Sequence, residues 1–205
     1  MFSFTFVVTG LTANTFYNFR VEAFNGVTIA RSNLANVATL PLDATVGQTT
    51  SVCGTSGVAY IQLTGAPERG SYRWYADSLG GTLIDEVTNG GFFETPVLTQ
   101  TTTFYATVVS SHGLESNPRI PVNAYVYEDV DAELLEGEFI KSCNSQTTLH
   151  ALEQVGATYQ WRINGALAFE EGIEFTATVS GHYQLIVTRN SCVDTYDFDV
   201  TLNYQ

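Results

Sequence analysis

The chain has 205 residues, 44% hydrophobic and 13% aromatic, yet only 14% charged, with a net charge of −13. Globular domains usually carry about 25% charged residues. The acidic balance excludes a basic phosphate-binding face, and with it nucleic acid as a partner. No apolar run reaches the roughly 18 residues of a membrane span.

The length favours two or three small domains. Charge is uneven along them: residues 1–41 carry +1, residues 42–126 carry −4 and residues 127–205 carry −10. Period-2 apolar patterns recur in YNFRVEAF, VAYIQLTG, YRWYAD, TFYATVV, YQWRI, HYQLIVT and DFDVTLNY. Gly, Asn and Pro punctuate them, so the reading is strand and turn throughout. The opening MFSFTFVVTG lacks the basic flank and apolar length of a signal peptide. Export would need a signal upstream of this segment.

The stretch LTANTFYNFRVEA, Leu11 to Ala23, resembles the last third of a fibronectin type III domain. The resemblance implies a tyrosine corner, with Leu11 opening the turn and the Tyr17 hydroxyl bonded back to the backbone. Phe19, Val21 and Ala23 would then alternate on the following strand. Such a sandwich needs about 100 residues, and only 1–41 are present before the next module. FSFTFVV and YNFRVEAF should therefore expose an apolar face. The expected partner is either upstream sequence or a neighbouring subunit that completes the domain by strand addition.

Residues 42–126 and 127–205 repeat one pattern. Cys53 is followed by Trp74 in YRWY, and Cys143 by Trp161 in YQWR; a turn and a second aromatic strand then follow. Asn164-Gly165 between YQWRI and ALAF reads as a hairpin turn, since both residues tolerate positive φ. DAELLEGEF (131–139) hints at helix but is read as a linker into the next strand. A Cys on strand B and a Trp on strand C is an Ig-like pattern, with both tryptophans in the core. YRWYADSLGGTLI with TPVLTQTTTFYATVV resembles a bacterial Ig-like module of secreted Bacteroidetes proteins. There it alternates with fibronectin type III modules in long adhesins and exported enzymes. The expected fold is all-β: tandem Ig-like and fibronectin type III-like antiparallel β-sandwiches, with domains at 1–41, 42–126 and 127–205.

Cys143 and Cys192 bracket the third domain and are the expected disulfide. Closing a loop of about 50 residues contributes roughly 4 kcal/mol in the chain-entropy model. Cys53 is left over, as a buried free thiol or as one end of an intermolecular bridge. In the resembling family the second Cys falls about nine residues after the strand-F aromatic. Cys192 is nine after Tyr183, whereas Gly113 occupies that place after Phe104. Phe104 also lacks the hydroxyl of a corner tyrosine, so the middle domain is expected to be the less stable.

Catalytic chemistry finds little support. His112, His150 and His182 are scattered and read as solvated, and no HExxH, GxSxG, P-loop or CxxC motif occurs. The adjacent acids Asp85 and Glu86, and Glu170 and Glu171, point to opposite strand faces. Asp197 and Asp199 read as the polar side of a half-buried strand. No cofactor is expected. Glu128, Asp129, Asp131 and Glu133 are a solvated acidic linker or, alternatively, Ca²⁺ ligands at a domain boundary. Tyr75, Phe92, Phe93, Tyr125 and Tyr127 either cover sandwich ends or form a glycan-stacking row. The expected function is a non-enzymatic structural, adhesive or filament-forming segment of a secreted or cell-surface bacterial protein. The alternative is an accessory stalk or glycan-binding module of a secreted hydrolase.

Overall fold

A computed structural model describes residues 5–205 and shows twenty β-strands and no helix among them. The chain divides into two compact units. The first holds residues up to Thr50, Tyr60–Thr95 and Thr102–Ala124; the second holds Ser51–Ala59, Pro96–Thr101 and Tyr125–Gln205.

In the first unit β1 (Phe16–Phe19) pairs with β4 (Ala35–Ala38), and β2 (Glu22–Phe24) with β3 (Ile29–Arg31). The Thr12 amide donates to the Tyr17 hydroxyl at 2.7 Å, a corner of the expected kind. Phe16, Val21, Phe24, Ile29 and Leu34 remain exposed, Phe24 at 69%. The apolar alternation of this segment thus has no matching layer among the described residues. FSFTFVV lies partly outside them, because the description starts at residue 5.

The sandwich of this unit is built from β5 (Thr45–Thr49), β7 (Tyr60–Thr64), β8 (Ser71–Tyr75), β9 (Leu83–Thr88), β10 (Phe92–Glu94), β11 (Thr102–Val109) and β12 (Ile120–Ala124). β6 (Val52–Cys53) belongs to the second unit. The sheets run β10-β7-β5 and β12-β11-β8-β9, all antiparallel. Alternation drives the inner faces together: Ile61 and Leu63, Tyr72 and Trp74, and Phe104, Ala106 and Val108 are all buried. Phe93 stacks on Trp74 with centroids 4.3 Å apart, and Phe104 meets Phe93 edge-on at 5.3 Å.

The second unit contains β6, β13 (Val126–Tyr127), β14 (Phe139–Lys141), β15 (Thr147–His150), β16 (Thr158–Ile163), β17 (Ala166–Glu171), β18 (Glu174–Ala177), β19 (Gly181–Arg189) and β20 (Cys192–Thr201). Its main sheet is β14-β20-β19-β16-β17, faced by β15-β18. β6–β13 and β14–β20 are parallel pairs in an otherwise antiparallel fold. Asn164 and Gly165 take φ of 48° and 83°, closing the β16–β17 hairpin where the sequence asks for it. Trp161 is fully buried against Phe175 and Phe198, and its indole N–H donates to the Gly172 carbonyl at 2.9 Å.

The stretch 130–134 is extended, not helical: Val130, Ala132 and Leu134 are buried and join this core, while Asp131 and Glu133 face water. Two further corners appear on the strands that carry the tryptophans. Tyr72 accepts the Ala66 amide at 2.9 Å and Tyr159 the Gln154 amide at 2.6 Å. The middle sandwich therefore has a tyrosine corner despite Phe104, on strand β8.

Candidate functional site

The chemically distinctive place in the molecule is the disulfide of the second unit, and its partners correct the expectation. Cys53 bonds to Cys192 with Cα atoms 5.7 Å apart, and Cys143 is a free, exposed thiol. Geometry forbids the expected Cys143–Cys192 bond. Lys141 on β14 stands beside Thr201 at the far end of β20, while Cys192 opens that strand. Nine residues of strand at about 3.3 Å each separate the two ends by roughly 30 Å, and a disulfide needs Cα atoms within about 7 Å.

Backbone pairing delivers Cys53 instead. Val52 and Cys53 lie opposite Val126 and Tyr127, with the Val52 amide donating to the Tyr125 carbonyl at 2.9 Å and the Gly54 amide to the Tyr127 carbonyl at 3.0 Å. The Gly57 and Leu98 backbones exchange two more hydrogen bonds, at 3.0 and 2.7 Å. Two residues beyond Tyr127, the Arg189 guanidinium donates to the Asp129 carbonyl at 2.7 Å. Arg189 is the cross-strand partner of Cys192 at the β19–β20 turn. Asp194 then accepts the Ala132 amide at 2.9 Å. Cys192 is fully buried beneath this arrangement, and Cys53 sits at its surface.

Alternation turns Asp129, Asp131 and Glu133 outward, and Glu128 lies 3.5 Å from Arg189. Among the described residues no group of three or more His, Cys, Asp or Glu converges as a metal site. The glycan-stacking row is corrected as well. Phe93 is 0% exposed inside the core, and Tyr75 is 7% exposed with the Arg119 guanidinium 3.3 Å above its ring. Phe92 remains exposed, and Tyr125 stacks on Tyr127 at 5.6 Å.

One polar cluster was not foreseen. Arg73 on β8 bonds to Glu86 at 2.9 Å and to Glu115, and Glu115 also accepts from Thr107 at 3.1 Å and Tyr75 at 3.2 Å. Arg119 donates to the carbonyls of Asp77 and Gly80, pinning the β8–β9 loop. The sequence signal was the outward phase of Arg73 and Tyr75 on a strand whose other phase is core. Burial raises the Glu115 carboxyl, but its hydrogen bonds outweigh burial and hold it below its usual 4.5. Glu86 is lowered chiefly by the Ser71 hydroxyl and then by Arg73. The hydrogen bonds that Arg73 donates to Glu86 and Glu115 keep it charged, and burial first, then the Glu115 charge, raises the Tyr75 hydroxyl.

In the second unit His182 lies between Asp199 at 3.1 Å and Asp197 at 3.2 Å, and His150 bonds to Glu136. These carboxylates raise both imidazoles above 6.5, the Asp199 and Glu136 hydrogen bonds contributing most. The signs set opposite pH dependences. The Glu86 and Glu115 contribution is complete above pH 4.5 and is lost as pH falls through their depressed values. The histidine contribution is complete below pH 6.5 and is lost as pH rises through the raised values. Thermal unfolding should show the first unit weakening on the acid side and the second on the alkaline side. His182→Gln should abolish part of the alkaline loss and leave the acid loss intact.

Residues 41–127 match the family model described as Ig-like domain CHU_C associated. That stretch is therefore similar to Ig-like domains of this bacterial type. No curated protein matches the chain. Among solved structures, murine CEACAM1b aligns at 14% identity over 78% of this chain and 100% of its own, with a TM-score of 0.39. The fibronectin(III)-like modules of Clostridium thermocellum CbhA align at 16% identity over 78% and 95%, with a TM-score of 0.43. Domains 3–5 of the extracellular part of Drosophila OTK align at 15% identity over 85% of this chain and 66% of theirs, with a TM-score of 0.39. Among the described residues no helix is long and apolar enough to cross a membrane.

Proposed function

We propose that the chain is a structural segment of a secreted or cell-surface bacterial protein, serving to space or attach rather than to catalyse. The observation that carries this reading is the disulfide between Cys53 and Cys192. Structural disulfides form and persist in oxidising compartments, and this one is built into an Ig-like fold whose two tryptophans are both packed in its cores. The Arg73 cluster supports the same role, since its groups satisfy one another and hold strands and a loop in place.

The uncovered apolar face of residues 5–41 is where further β-strands belong, supplied by adjoining sequence or by a neighbouring subunit. The test is fractionation of the cells that make the protein, with thiols alkylated at lysis. The chain should appear in the secreted or surface fraction with Cys53 and Cys192 protected from alkylation. Recovery from the cytoplasm with both thiols alkylated would contradict the reading.

A further inference from the structure

The structure assigns to the Cys53–Cys192 bond the role of a covalent shortcut for force that shields most of the chain from tension. The inference deepens the structural reading and rests on it. It follows from covalent order. The two cysteines are 139 residues apart, so force entering before Cys53 and leaving after Cys192 crosses the sulfur–sulfur bond. Every strand from β7 to β19, both tryptophans and the Arg73 cluster lie in the bypassed stretch.

The segment beyond the bond fits this role. Cys192 opens β20 and Thr201 closes it, so the load runs along the axis of one ten-residue strand. That strand is held on both sides, by β19 and by β14. A β-strand already rises about 3.3 Å per residue, close to the reach of a fully extended chain. It therefore transmits tension with little lengthening. On the other side of the bond, the two-stranded pairs β1–β4 and β2–β3, and β5 with its ladder to β7, lie in the load path and are the part that opens.

Reduction converts the device. A dithiol delivers two electrons and two protons to the bond, yields the Cys53 and Cys192 thiols, and closes to its own cyclic disulfide. The hidden length then enters the load path: 139 residues at about 3.5 Å each, or roughly 480 Å.

The experiment is single-molecule pulling on the intact chain through handles at both ends, with dithiothreitol introduced while the folded molecule is tethered. The oxidised chain should extend only through residues outside 53–192, and Cys143→Ser should behave identically. Dithiothreitol should then add roughly 480 Å of contour. Release of that length without reductant, or no added length after it, would overturn the shortcut. Reduction on the tether avoids dependence on whether Cys53→Ser folds. Failure here leaves the fractionation result untouched, so the two readings are separable.

Discussion

Reduction of the oxidised protein should destabilise the second unit by about 4–5 kcal/mol, because the bond closes a loop of 139 residues and loop-closure entropy grows with loop length. Cys53→Ser and Cys192→Ser should cost about the same, and Cys192→Ser somewhat more because Cys192 is fully buried. Cys143→Ser should change stability by less than about 0.5 kcal/mol, as an exposed side chain away from the core. Urea unfolding followed with and without dithiothreitol reads the difference. Equal loss on Cys143→Ser and Cys53→Ser would remove the basis of this ranking.

The second large effect is Trp161→Ala. Deleting a fully buried indole leaves a cavity between Phe175 and Phe198 and strands the Gly172 carbonyl that the indole N–H now serves. Large-to-small core changes of this type cost about 3–5 kcal/mol. Trp161→Phe keeps most of the volume but still loses the hydrogen bond, at about 1–3 kcal/mol. The chain has two tryptophans, one in each unit, so the fluorescence of Trp74 reports the first unit while the second is destabilised. A Trp161→Ala midpoint in urea equal to that of wild type, read by far-UV circular dichroism, would show that the indole is not the centre of its core. Trp74→Ala should have a comparable cost, since Phe93 stacks on its ring and Phe104 closes behind.

Much of this core was legible because it rests on local alternation. YRWY and YQWR place a tyrosine and a tryptophan on one face, and the inward phase follows from the pleat. The Asn164-Gly165 turn was legible for the same reason, since its φ values suit few other residue pairs. The tyrosine corner at Tyr17 came from a resemblance whose motif spans only a few residues.

What escaped the sequence is long-range. Bracketing suggested Cys143 and Cys192, but bracketing ignores which end of a strand each residue occupies. Cys143 follows β14, whose parallel register with β20 puts it at the end opposite Cys192. Cys53 arrives through the parallel pairing of β6 with β13, a contact between residues more than seventy positions apart that no local pattern encodes. The same pairing draws 51–59 into the second compact unit. The acidic stretch holds a readable local signal: Val130, Ala132 and Leu134 alternate with Asp131 and Glu133, the pattern of a half-buried extended segment.

The central claim is the pairing itself. Digestion of the native protein at acidic pH, without reductant and with free thiols alkylated, followed by mass spectrometry, tests it directly. The account predicts one cross-linked species joining the Cys53 and Cys192 peptides, with Cys143 alkylated. A cross-linked species joining Cys143 to Cys192 would contradict it.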